Sequence, residues 1–220
     1  MPTWIECHLE VTGPSNEIEF FAGMALGQGD RNYLEFNDLL PLPEELNLEK
    51  NSATELIYKA KYSDDEVVKT LLELDWIKRK ASNRQELIEF AISRSPECEE
   101  AADKYKSNYD KYGFTTWKDW CEKNWGTKWS AQQTRLTSAS VPGIKTQTAL
   151  HYYFNTIWAP PIPLFKIVGY NYNKLEFLLE YRSIVENYTG RLLVRHGQIV
   201  QDERRKIDET VNEEVTVTGE

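Results

Sequence analysis

Residues that carry chemistry are few in this chain, and their spacing does not suit catalysis. The three histidines, His8, His151 and His196, stand far apart, and the three cysteines, Cys7, Cys98 and Cys121, form no Cys-x-x-Cys pair. A metal centre draws on several such ligands at short spacing, so none is expected. Cys7 and His8 are neighbours, but adjacent side chains of a strand leave opposite faces, which excludes a thiol–imidazole dyad. No phosphate loop, Gly-x-Ser-x-Gly elbow or His-Glu-x-x-His helix occurs. The glycines of "GQGD" (27–30) fall where a helix ends rather than where one starts, the wrong polarity for holding phosphate. The acid pairs Glu44-Glu45 and Glu213-Glu214 read as solvated. The expectation is a non-enzymatic protein with no catalytic residue, metal or cofactor.

Binding chemistry is better supplied. "TWKDWCEKNWGTKW" (Thr116–Trp129) holds four tryptophans. With Thr116 as cap, Trp117, Trp120, Cys121 and Trp125 share one helical face, and Gly126 stops the helix. Such a stripe reads as core, each indole removing roughly 150–250 Å² from water. Trp129 lies past the stop beside Lys128 and is the candidate ring for meeting a partner. Trp158 and the segment "YRSIVENYTGR", with Tyr181, Arg182 and Tyr188, complete the candidate partner-binding set. Arg182, Arg191 and Arg195 are the candidates for holding the phosphate of a small nucleotide.

The elements that must position these residues read as a mixture of strands and helices. "TWIECHLEVTG" alternates Trp4, Cys7, Leu9 and Val11 with polar residues and predicts a strand. Ser15 caps a short helix with Ile18, Phe20 and Phe21 inward, and "YLEFNDLLPLPEEL" reads as an edge strand and turn. A helical stretch follows. Ser63-Asp64-Asp65-Glu66 opens one helix bearing Val67, Val68, Leu71, Leu72 and Trp76; Asn83 caps the next; Ser95-Pro96 starts a third that ends at Gly113. "TRLTSAS" and "TQTALHYYFNTIW" flank a "VPGIK" turn, "PPIPLFKIVGY" is a helix, and "KLEFLLEYR" and "GRLLVRHGQIV" are two strands. The pattern predicts an α+β, ferredoxin-like antiparallel sheet with helices on one face and a helical insertion. The expected organisation is 1–50 packing with the C-terminal part, 51–112 as the insertion, 113–200 as the ferredoxin-like domain, and 201–220 as a mobile acidic tail.

The net charge of -9 is unevenly spread: residues 108–200 are net positive, and the first fifty and last twenty are strongly negative. Five of the seven tryptophans lie in the positive stretch. An acidic surface around Glu35–Glu49 could steer the protein toward a basic channel of a partner. No apolar run reaches membrane-spanning length, the N-terminus has no signal-peptide pattern, and the odd, scattered cysteines fit a reducing cytoplasm.

"YGFTTWKDWCEKNWGTKWSA" and "FNTIWAPPIPLFKIVG", together with "MPTWIECHLEVTGP" and "LEFNDLLPLPEEL", resemble the YubB-like family of plasmid and phage proteins. The resemblance covers most of residues 1–197 apart from the helical middle. It departs at "YRSIVENYTGR", which lacks the proline and first glycine of that family's usual segment. It implies a ferredoxin-like C-terminal domain and no settled activity. The functional expectation is an accessory protein of a mobile element that binds a host protein, in counter-defence or host modulation. The alternatives are single-stranded nucleic-acid binding through an aromatic sheet face, with "HYYFNTIW" as platform, and sequestration of a small nucleotide.

Overall fold

The structure is a computed structural model that describes residues 3–27, 32–140 and 147–207. The "VPGIK" turn, most of "GQGD" and the end of the acidic tail lie outside the described residues. In chain order the elements are β1 (Trp4–Pro14), α1 (Ser15–Ala25), α2 (Phe36–Leu39), α3 (Ser52–Tyr62), α4 (Asp65–Leu72), α5 (Asp75–Lys78), α6 (Arg84–Arg94), α7 (Glu99–Tyr112) and α8 (Trp117–Asn124). They continue as β2 (Gln132–Ser140), β3 (Gln147–Ile157), α9 (Ile162–Asn171), β4 (Glu176–Ser183), β5 (Tyr188–Arg195) and β6 (Gln198–Lys206). Two compact units result: residues up to Pro41 together with those from Cys121, and Leu42–Trp120. The helical unit is therefore wider at both ends than the 51–112 expected.

The first unit is a ferredoxin-like α+β fold. Its six strands lie in the order β2-β3-β1-β4-β5-β6, with every neighbouring pair antiparallel. β1 and β2 are separated by β3, and β3 and β4 by β1, so each helical crossover spans an inserted strand. Alternation along β1 buries Ile5, Cys7, Leu9 and Val11. Trp4 does not share that face: it is 43% exposed, and Ile5 takes the buried phase. The helical side of the sheet is filled by Phe21, Phe36, Tyr152, Phe154, Phe165 and Phe177, all buried. Phe36 meets Trp125, Phe154 and Phe165 edge to face. These T-shaped contacts set the rings' orientation in addition to excluding water. α9 approaches β5 so closely that a Cβ on Gly169 would stand 2.4 Å from Val194 Cγ1.

Several expectations are corrected. Phe20 is 60% exposed on α1 while Ile18 and Phe21 are buried. The segment expected as an edge strand forms α2 and a 3-10 turn at Glu44–Leu46. "GRLLVRHGQIV" is two strands folded at His196-Gly197, both in the left-handed region. β6 pairs with β5 as far as Lys206, past a register shift at Leu193–Val194, through residues expected to begin the mobile tail.

In the helical unit, caps match local chemistry. Asp64 Oδ1 accepts from Val67 N–H and Asn83 Oδ1 from Glu86 N–H, and Gly113 ends α7 in the left-handed conformation. Ala60, Val68, Ile77, Ala81 and Leu87 form one apolar cluster, and Ile57, Ala91, Cys98 and Ala102 another. Trp76 belongs to the separate helix α5 and is 49% exposed. Thr116 is buried, and its hydroxyl, expected as a cap, has no hydrogen-bond partner among the described residues. No helix among the described residues is long and apolar enough to cross a membrane.

Candidate binding face

The side of the sheet opposite the core carries the polar half of each alternation. One row crosses all six strands in register: Arg135, Tyr153, His8, Glu180, Arg191 and Glu203. Tyr153 stacks on His8 with centroids 4.6 Å apart, and Arg135 sits 4.7 Å over the Tyr153 ring. His8 stacks in turn on His151, with Nε2 and Nδ1 3.2 Å apart, so one nitrogen donates and the other accepts. Along the sequence these histidines are solitary. Pairing of β1 with β3 brings them together across 143 residues. Glu180 lies 3.6 Å from His8 Nδ1 and Glu10 3.8 Å from His151 Nδ1. Among the described residues no group of three or more His, Cys, Asp or Glu is arranged to hold a metal ion.

A cleft of about 600 Å³ opens on this face. Arg182, Thr189 and Arg205 form one cross-strand row of it, with Glu6 beyond Arg182, and Arg191 stands on β5 one same-face position from Thr189. Arg182 donates from Nε and Nη2 to Glu6 Oε2 at 3.2 and 2.7 Å. Arg191 Nε is buried and has no hydrogen-bond partner among the described residues; Glu180 Oε1 is 3.7 Å away. Cys7 touches the cleft, but burial pushes its thiol up to about 12, so it holds too little thiolate to act as a nucleophile.

A second feature lies at one end of the sheet. Trp4 pairs with Ile157, Trp158 N–H donates to Thr3 O at 2.8 Å, and the Thr127 hydroxyl donates to Ile157 O at 2.9 Å. These bonds gather the start of β1, the end of β3 and the loop after α8. Trp4, Trp129 and Trp158 are 43, 45 and 46% exposed there. Lys128 pairs with Glu122 at 3.3 Å and lies 6.0 Å over the Trp129 ring.

The expected site residues thus separate. Lys128, Trp129 and Trp158 fall at this end, and Arg182 lies in the cleft. Tyr181 and Tyr188 are in the core, 3 and 4% exposed, because their strand phase puts them on the helical side. Arg195 is engaged by Glu176 and does not line the cleft; Arg205 does, together with His8. Trp120 and Trp125 are buried, and Trp125 Nε1–H donates to Leu40 O. Of the acidic stretch, Glu35 accepts from Asn32 Nδ2, and Glu45 accepts from Lys111 and Tyr112.

No curated protein matches the chain. A solved structure, protein Api92 from Yersinia pseudotuberculosis, is 12% identical, with 94% of this chain and 99% of that chain covered and a TM-score of 0.46. The family model described as the ferredoxin-like domain in Api92-like protein matches residues 104–219. With that domain spanning more than half of its length, the chain belongs to the Api92-like family.

Proposed function

We propose that the protein is a non-enzymatic binding protein that anchors a protein partner through the indole-rich end of its sheet. The observation that carries this reading is Trp158, which has φ 74° and is 46% exposed. A left-handed backbone costs a bulky residue roughly 1–2 kcal/mol, and nearly half of this residue's surface still faces water. Strain and exposure together suit a ring held out for a partner. Tryptophans dominate the energetics of many protein interfaces, particularly when clustered.

Nucleic-acid binding is less well supported. Base stacking needs a free ring face, and Tyr153 already stacks on His8 and carries Arg135 over its ring. Cations of the open face alternate with carboxylates, as in the row from Arg135 to Glu203, and do not form a continuous phosphate track. The net charge of -9 would favour a basic host protein. The mobile-element setting, the cytoplasmic location and a role in host modulation or counter-defence are parts of this proposal; three buried, unpaired cysteines fit a reducing compartment.

The test is affinity capture from bacterial lysate with and without nuclease, using wild type, Trp158→Ala and the control Trp76→Ala. A nuclease-resistant protein lost with Trp158→Ala and kept with Trp76→Ala supports the reading. Recovery of nucleic acid alone, or equal capture by all three proteins, refutes it.

A further inference from the structure

We infer that the cleft on the open sheet face binds the phosphate group of a small phosphomonoester, at a point framed by Arg182, Arg191 and Arg205. This goes beyond the partner reading and uses different residues. The three guanidinium groups come from three adjacent strands. Arg182 on β4 and Arg205 on β6 flank Thr189 of β5, so their backbones are about 10 Å apart, and Arg191 is about 7 Å along β5 from Thr189. Side chains of that length can reach the space above the threonine from all three positions, and three guanidinium groups around one point suit a tetrahedral dianion better than a planar carboxylate.

The donors are incompletely used within the protein. The Nε–H of Arg191 is buried without an acceptor among the described residues, an uncommon state for a charged donor. Arg182 spends Nε and Nη2 on one oxygen of Glu6, and Arg205 reaches Glu203 Oε2 only at 3.4 Å. Exposed ion pairs of this kind hold weakly, so a dianion that engages two guanidinium groups at once displaces the carboxylates. A volume of about 600 Å³ is larger than inorganic phosphate needs and falls in the range of small-molecule sites. Bordering the remainder, Glu180, His8 and Tyr153 offer acceptors and donors for hydroxyl or amino groups, beside the less polar Cys7, Tyr181 and Gly190. The ligand class is therefore a phosphomonoester on a polar body, a sugar phosphate or a nucleoside monophosphate.

Calorimetric titration of the full chain with ribose 5-phosphate, adenosine 5′-monophosphate and inorganic phosphate tests this, with adenosine as the phosphate-free control. The variants are Arg191→Gln and, outside the cleft, Arg195→Gln, each checked for a native thermal melt. Saturable binding of either organic phosphate, weakened about tenfold or more by Arg191→Gln and unchanged by Arg195→Gln, is the expected result. Binding of one organic phosphate and not the other decides which body the cleft accepts. The inference is overturned by no binding of any phosphate, by adenosine binding as well as its monophosphate, or by equal losses in both variants. Because Trp158 is untouched, such a result leaves the partner reading standing.

Discussion

Tyr181 lies across Gly190, its directly paired neighbour on the next strand: a Cβ on residue 190 would stand 2.2 Å from the Tyr181 Cζ and Oη. The glycine is a space for the ring, which is buried and meets Tyr188 edge to face at 6.2 Å. Ring and methyl cannot both fit without moving the core. Gly190→Ala is expected to destabilise the protein by about 1–3 kcal/mol through overpacking. A denaturant midpoint lowered with an unchanged m-value would show it; a midpoint at wild type would mean that the ring has room to swing.

Tyr152 presents the reverse case. It is fully buried, Phe21 meets it edge to face at 6.2 Å, and its hydroxyl has no hydrogen-bond partner among the described residues. Burial accordingly raises the phenol's pKa. Tyr152→Phe keeps the ring contact and removes an unsatisfied polar atom, so stability should rise by about 1 kcal/mol. A loss of similar size, measured by the same denaturation, would mean that the hydroxyl is bonded in solution.

Acid should act on the helical unit through Glu45. Lys111 Nζ at 2.7 Å and the Tyr112 hydroxyl at 2.9 Å both donate to this carboxylate and, led by the lysine bond, lower its pKa to about 2. A depressed folded-state pKa gives stability that is complete above the ordinary carboxylate value of about 4.3 and lost as pH falls toward 2. Helical circular dichroism followed from neutral to acid pH should show Glu45→Gln less stable than wild type at pH 7, with the two converging near pH 2. The gap should narrow in high salt, since the pair is exposed. A constant gap across that range would assign the effect of the substitution to packing.

What the sequence made legible follows how local each cause is. Asn83 as a cap and Gly113 as a stop depend on residues within one turn, and both read correctly. The alternation of β1 is visible in the sequence, but the size of Trp4 suggests burial where its phase gives exposure. The ferredoxin-like order was legible from the succession of elements. β6 was missed because both its faces are largely exposed, so its side chains show no apolar alternation, and with it went Arg205. The His8–His151 contact and the arginine frame around Thr189 arise from cross-strand register, which leaves no mark at short sequence spacing. Tyr181 and Tyr188 are readable as core from their phase with Phe177, Leu179 and Leu192, although aromatics near a turn also suggest a surface.

Trp158 separates folding from function most directly, because the two make opposite demands on it. If the indole serves the fold, Trp158→Gly removes packing and destabilises. If it serves a partner, glycine relieves a left-handed backbone at φ 74° and removes a ring already 46% exposed. Relief of about 1–2 kcal/mol is then offset by about 0.5–1 kcal/mol of added unfolded-state entropy, so Trp158→Gly should match wild type or exceed it slightly. Trp158→Ala keeps the strain without the indole and should be less stable than Trp158→Gly. Both substitutions should abolish partner capture equally, since both delete the ring. Thermal melts of the two variants, run beside the capture assay, decide the matter: a glycine variant as stable as wild type but unable to bind marks the strained indole as functional. One well below wild type in stability would return Trp158 to the core and remove the main support for an interface at this end of the sheet.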